Sequence, residues 1–199
     1  MVAYPQLRTS ADLLQSTIRL EQCVQFLQQQ KAEACAIVNS TLYGLMPFWR
    51  SMQQANIHAV VGLRVDVAVD DTIMPLVLYA KANDGYQAIV KISSAVSTRA
   101  DHVLPLKWLQ AYQHGTIAMI PYAEGFIEQQ TVEAFQQMYT QQTYIGISRP
   151  NGVRHITEER TVLLAEALSM PIIATQENRY VQPEQFFAYT VAQAIQTGI

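Results

Sequence analysis

The run Thr175-Gln176-Glu177-Asn178-Arg179-Tyr180 places an acid and a base two residues apart, directly after the apolar stretch Ile172-Ile173-Ala174. A stretch this short and this rich in β-branched residues has the pattern of a buried parallel strand. Polar side chains released at the C-terminal end of such a strand are where α/β folds place their chemistry. Taken alone, the run reads as a catalytic loop. Few other groups stand at chemical spacing. The histidines His58, His102, His114 and His155 fall at one strand start and in three loops, with no two at metal-ligand spacing. They are expected to anchor loops or face solvent. No phosphate loop, G-x-G-x-x-G, H-E-x-x-H or nucleophile elbow occurs. Cys23 and Cys35 are expected as reduced, buried thiols.

Half of the 199 residues are hydrophobic and 15% are charged, so the chain is globular and long enough to bury a core. A net charge of -3 and a pI near 5.8 set it apart from dedicated nucleic-acid-binding modules, which carry a basic surplus. No window approaches the roughly 18 apolar residues of a membrane span, and no secretory leader pattern opens the chain. Together with the reduced cysteines, this predicts a soluble, cytoplasmic protein without membrane association.

The elements that must position Glu177 and Arg179 follow from periodicity. Short apolar runs predict strands over Tyr4–Arg8, Ala34–Val38, His58–Val65, Met74–Ala80, Thr116–Ile120, Thr143–Ile147 and Ile172–Thr175. Helical spacing predicts helices over Ile18–Lys31, Gly44–Ala55, Asp84–Ser97, Pro105–Gln113, Thr131–Thr140, Thr157–Ser169 and Pro183–Gln196. In the last of these Phe187, Val191, Ala194 and Ile195 form the apolar side. The turn-like Asp70-Asp71 marks the third and fourth strands as a candidate antiparallel pair. Such alternation predicts an α/β fold, a mostly parallel sheet covered by helices. No linker or boundary shows inside the chain.

The segments L-L-Q-S-T-I-R-L (13–20), A-I-V-N-S-T-L-Y-G-L-M-P-F-W (36–49), A-N-I-H-A-V-V-G-L-R-V (55–65), P-L-V-L-Y-A-K-A-N-D-G-Y-Q-A-I-V-K-I-S-S (75–94), P-I-I-A-T (171–175) and A-I-Q-T-G (194–198) occur in a telling order. Their order and distances resemble the N-terminal PHP (polymerase and histidinol phosphatase) domain of bacterial DNA polymerase III alpha subunits of the DnaE type. K-A-N-D-G-Y-Q-A-I-V-K-I-S-S resembles that polymerase branch in particular. The resemblance covers nearly the whole chain and implies a PHP-like distorted (β/α)7 barrel, complete or incomplete, over residues 1–199. It also implies a polynuclear metal site at the strand ends in active members. Several divalent ions need imidazoles and bridging carboxylates to activate a water against a phosphoester.

Carried onto this sequence, the family's His-x-His falls on Gln6 and Arg8, its Asp-His on Asn39 and Ser40, its third-strand Glu on Arg64, and its final pair on Glu177 and Arg179. A Ser-Gly-Cys of many relatives ends at Tyr122, and a later Glu falls on Gly146. Of these vestigial positions only Glu177 keeps a metal-binding group, and guanidinium groups cannot ligate metals. Three outcomes are open for Arg8, Arg64 and Arg179: a salt-bridge plug with Glu177, arginines splayed into solvent, or an anion site.

The resemblance implies a non-catalytic, structural domain without metal or other cofactor. It would be part of a longer DNA-directed DNA polymerase, a nucleotidyltransferase using Mg2+. The domain would brace the polymerase core, offer a surface to a replisome or proofreading subunit, and meet DNA only through the full-length protein. The alternative is a metal-dependent phosphoesterase or 3′–5′ exonuclease. Whether these residues alone form an enzyme stays open.

Overall fold

The structure, a computed structural model, describes residues 2–121, 129–139, 142–149 and 152–198. Its contacts gather into two compact units, Met1–Gly62 with Glu177–Ile199, and Leu63–Gln176. The chain passes from one to the other inside a strand and returns just after another. The first crossing falls at Gly62 within β3, and the second falls in the polar run Gln176-Glu177-Asn178-Arg179.

The first unit opens with β1 (Ala3–Leu7), α1 (Leu20–Gln29), β2 (Ala34–Asn39), α2 (Leu45–Gln54) and the start of β3 (His58–Val69). β1 and β2 are parallel, with Ala3 opposite Ala34 and Leu7 opposite Ile37. The register breaks between Tyr4 and Leu7, the interval holding Pro5, which has no amide proton for a ladder. From Cys35 on β2 is buried, matching its unbroken apolar run. α1 turns Cys23 and Leu27, one helical turn apart, inward, and α2 does the same with Leu45, Phe48 and Met52. Cys23 beside it and then burial push the Cys35 thiol up, and both cysteines are free and buried in the core.

The second unit holds the rest of β3, then β4 (Thr72–Ala80), α3 (Asn83–Ser97), β5 (Val103–Pro105), α4 (Leu106–Tyr112), β6 (Thr116–Ile120), α5 (Gln129–Tyr139), β7 (Thr143–Ile147), α6 (Glu158–Ala167) and β8 (Ile172–Ala174). Its strands run in the order β3-β4-β6-β7-β8, with β5 parallel on β3. The two-residue connection Asp70-Asp71 joins neighbouring strands, which only antiparallel partners permit. Asp70 takes the positive φ of 50° that a hairpin turn needs. β4 is antiparallel to β6, whereas β6, β7 and β8 are mutually parallel. The α/β class expected from the alternation is therefore present, with an antiparallel step in it. β5 is too short to show a period and does not stand out in the sequence.

The segment K-A-N-D-G-Y has a steric explanation. A Cβ on Gly85 would lie 2.0 Å from the Gly115 carbonyl oxygen, and that oxygen accepts the Lys81 amide at 3.0 Å. Only glycine lets α3 begin this close to the backbone entering β6.

Two expectations need correction. The run Ile172–Thr175 was expected to be a buried strand, but β8 ends the strand order with one neighbour, β7, and Ile172 is 42% exposed. The last predicted helix divides into a 3-10 turn, Pro183–Gln185, and α7 (Phe186–Thr197), both in the first unit. None of the α7 side chains is buried, and of the expected apolar side Phe187, Val191 and Ile195 are exposed while Ala194 is half-buried.

Candidate functional site

In the first unit the return segment is laid against the end of β1. The Arg8 amide donates to the Asn178 carbonyl at 3.0 Å and the Asn178 amide to the Gln6 carbonyl at 2.9 Å, a parallel bridge between Leu7 and Asn178. These bonds carry Gln6, Arg8, Glu177 and Arg179 to one place. The loop from Thr9 to Thr17 closes over it. Ser16 Oγ lies 2.9 Å from both the Arg8 and the Arg179 carbonyl oxygens, and the Thr17 amide donates to the Arg179 carbonyl at 2.9 Å.

The charges in this place are matched. Arg8 is 3% exposed; its Nη1 donates to Asp12 Oδ2 at 3.1 Å and Gln15 Oε1 at 3.0 Å, and its Nε pairs with Glu177 Oε1. The other oxygen of Glu177 accepts Arg179 Nη2 at 2.7 Å and Nε at 3.1 Å. Arg179 Nη1 donates to the Tyr189 hydroxyl at 2.8 Å, and the guanidinium sits 5.7 Å from the centre of that ring. Burial works against the charge of Arg179, yet Glu177 and then Tyr189 outweigh it and hold the group above its ordinary value. Two like charges ~4 Å apart cost roughly 4 kcal/mol at an effective dielectric near 20. Here Glu177 and Asp12 supply opposite charge on the spot.

Asp12 does not stand out in the sequence. It is 3% exposed, accepts the Ser40 amide at 2.9 Å and the Ser40 hydroxyl, and faces Arg8. Its only advance signal is its spacing of four from Arg8. Asn39 Oδ1 accepts the Thr9 amide at 2.9 Å, while its Nδ2 donates to Thr9 Oγ1 and to the Tyr43 carbonyl. Gly44 completes the fit: its φ is 77°, and a Cβ there would lie 2.7 Å from that of Ala11.

The structure thus brings Gln6, Arg8, Asn39, Ser40, Glu177 and Arg179 together in one unit. Arg64, on β3, and Gly146, buried on β7 against the Thr175 side chain, belong to the other unit. Tyr122 lies outside the described residues. The donor set in the first unit does not fit a metal centre. Both carboxylates are engaged by guanidinium groups, amides and hydroxyls stand where imidazoles would be needed, and arginine is no ligand. No group of three or more His, Cys, Asp or Glu placed to hold an ion occurs among the described residues. Of the histidines, the His102 and His155 rings contact the Val96 carbonyl and the Thr157 hydroxyl, which anchors loops.

The second unit has an ionic knot of its own after β7. Glu158, 2% exposed, accepts Arg149 Nη2 at 2.7 Å and Nε at 2.9 Å, and pairs with Arg154 at 3.3 Å. The Arg149 hydrogen bonds hold its carboxyl below the usual range. A cavity of about 370 Å³ lined by Lys81, Asp84, Gln113, His114, Thr116 and Tyr139 lies at the N-terminal end of β6, opposite the end where parallel strands present catalytic groups.

This α/β architecture is that of PHP-like phosphoesterases. It aligns with an amidohydrolase from Chromobacterium violaceum, solved with bound sulfate and no metal, at a TM-score of 0.65 and 8% identity, covering 96% of this chain and 97% of that one. It aligns with a protein from Bifidobacterium adolescentis described as a metal-dependent phosphoesterase at 0.63 and 8%, covering 92% and 90%. Residues 6–148 match the PHP domain, and the chain belongs to that family. It is 29% identical over 208 residues to DNA polymerase III subunit alpha of Bacillus subtilis, covering 97% of this chain and 19% of that protein. The corresponding protein of Halalkalibacterium halodurans is 25% identical over 203 residues, covering 94% and 18%. The chain spans about a fifth of the length of these curated relatives.

Proposed function

We propose that this chain is a non-catalytic, structural PHP domain of the DNA polymerase III alpha type. An ionic clasp takes the place of a metal cluster in it. The observation that carries the reading is Glu177, whose two oxygens are held by Arg8 and Arg179. The clasp ties the return segment to β1, the orienting task that bridging metals perform in a catalytic site. With two guanidinium groups and two carboxylates in balance, the cluster has no surplus charge for an anion. The domain binds no cofactor; nucleotidyl transfer and its Mg2+ belong to a larger polymerase whose core it braces. Contact with a proofreading or other replisome subunit, and with DNA, belongs to that larger protein, consistent with a net charge of -3 here. No helix among the described residues is long and apolar enough to cross a membrane.

The competing reading, a metal-dependent phosphoesterase or 3′–5′ exonuclease, draws on the fold alone. The two separate by elemental analysis of protein purified in the presence of zinc, manganese and iron, with parallel assays on an aryl phosphate and on single-stranded DNA. The expected result is substoichiometric metal and no hydrolysis above the blank. A stoichiometric ion retained through gel filtration, with hydrolysis lost on chelation, overturns the proposal.

A further inference from the structure

The run K-A-N-D-G-Y, which takes no part in the clasp, builds one wall of the cavity in the second unit. Because β4 runs against β6, with Ala80 opposite Thr116, the N-terminal end of β6 is also the C-terminal end of β4, where the chain passes into α3. Lys81 and Asp84 both line the cavity there, yet they form no ion pair with each other or with any other described residue. Each is held by a neutral group instead. With the Gln142 carboxamide turned so that its nitrogen donates to the Thr116 carbonyl at 3.2 Å, its oxygen accepts Lys81 Nζ at 3.0 Å. Asp84 Oδ1 accepts the Gly85 amide at 2.8 Å, and Oδ2 takes no donor among the described residues. Two glycines make room for that carboxylate. A Cβ on Gly115, whose φ is 74°, would lie 2.7 Å from Asp84 Oδ2, and Gly85 lets α3 start against the Gly115 carbonyl.

We propose that this cavity is a binding site for a small zwitterion of the amino-acid class, its ammonium group on Asp84 Oδ2 and its carboxylate on Lys81. A cation and an anion kept apart on the walls of one cavity match a ligand that carries both charges. Either charge alone fits worse: a phosphate or other simple anion meets Asp84, and a polyamine meets Lys81. The rest of the lining, His114 apart, is uncharged and includes Gln113, Thr116, Met138 and Tyr139, which selects an uncharged side chain on the ligand. At about 370 Å³ the cavity falls at the small end of the roughly 300–1,000 Å³ of small-molecule sites. The site lies wholly in the second unit, so it stands or falls apart from the Glu177 clasp.

The test is a titration of the whole isotope-labelled chain with L-serine, L-glutamine and L-methionine, followed by nuclear magnetic resonance at the amides of Lys81, Asp84 and Gly115. Saturable shifts at these residues, with a Kd of about 1 mM or tighter for at least one probe, are expected. No shift with any of these probes up to about 10 mM overturns the proposal. The N-acetyl and methyl ester derivatives of the tightest probe each remove one charge, and both should bind at least about tenfold more weakly. An N-acetyl derivative or inorganic phosphate that binds as well as the parent amino acid marks an anion site, and a methyl ester that does so marks a cation site; either overturns the zwitterion. Lys81→Met and Asp84→Asn, the latter keeping an oxygen for the Gly85 amide, should weaken binding by a similar factor. Unchanged affinity in either variant overturns the proposal as well. The derivative arms use the unaltered chain, so the test decides even where a variant folds poorly.

Discussion

Arg8 and Arg179 hold the same carboxylate by its two different oxygens: Arg8 pairs with Oε1 of Glu177, and Arg179 pairs with Oε2 at 2.7 Å. Neither arginine replaces the other, because Arg8 is enclosed and also serves Asp12, whereas Arg179 is a quarter exposed and leans on Tyr189.

Removing the shared carboxylate leaves the enclosed Arg8 cation short of a partner. Glu177→Ala is expected to cost on the order of 3 kcal/mol in urea unfolding. Arg179→Ala should cost only about 1 kcal/mol, as its charge is partly solvated. Replacing Arg8 and Glu177 together by Met and Leu should cost less than the sum of the two single replacements, since neither is left facing a missing partner, although Asp12 and Arg179 each lose a counter-charge. Equal losses for all three variants would contradict the clasp.

Asp12→Ala strips acceptors from the Ser40 amide, the Ser40 hydroxyl and Arg8 at once. The expected loss is about 2–4 kcal/mol. Asp12→Asn, which keeps an oxygen for the Ser40 amide, should lose less. A double-mutant cycle with Arg8→Met should show a coupling of roughly 0.5–3 kcal/mol, and additivity would place Asp12 outside the cluster.

Gly85→Ala drives a methyl group into the Gly115 carbonyl. Backbone faces it on both sides, so the misfit cannot be relieved by a rotamer change. A loss of about 3 kcal/mol in equilibrium unfolding is expected; a variant as stable as the parent would show that α3 and β6 do not approach this closely.

Acid should act through Glu158. Its folded pKa lies below the unfolded value because Arg149 hydrogen-bonds the ionised form. The resulting stability is present above the unfolded value of about 4.3 and is lost as the pH falls through the folded value. Urea midpoints of the parent should therefore drop on going from pH 7 to pH 3 by more than those of Arg149→Ala. Parallel curves would remove this pair from the acid response.

Local pattern and distant contact were legible to different degrees. Strands such as Ala34–Asn39 announced themselves because both faces are buried, so every residue from Ala34 to Val38 is apolar. The meeting of Arg8, Glu177 and Arg179 could be anticipated only through the family's strand order, since 169 residues separate Arg8 from Glu177. Asp12 escaped notice because it sits in a loop with neither the period of a helix nor that of a strand. Glu158 read as an acid favouring a helix N-terminus, but its burial depends on Arg149 reaching back from the end of β7. The stripe on α7 looked like a core face for the simplest reason: periodicity reports which side of a helix is apolar, and says nothing about whether a neighbour is there to cover it.

The first unit is made of two pieces of chain, with the whole of Leu63–Gln176 lying between them in sequence. During synthesis at roughly 5–20 residues per second, β1 and Arg8 therefore wait on the order of ten seconds before Glu177 is even polymerised. In that interval the second unit is still being synthesised, its last residue Gln176 preceding Glu177 by one, while β1 and β2 stand as an open edge with Arg8 at its end. A charged residue at such an edge discourages pairing with a neighbouring nascent chain. The edge that ends at Arg8 is therefore closed last, when the far end of the chain brings Glu177 to it.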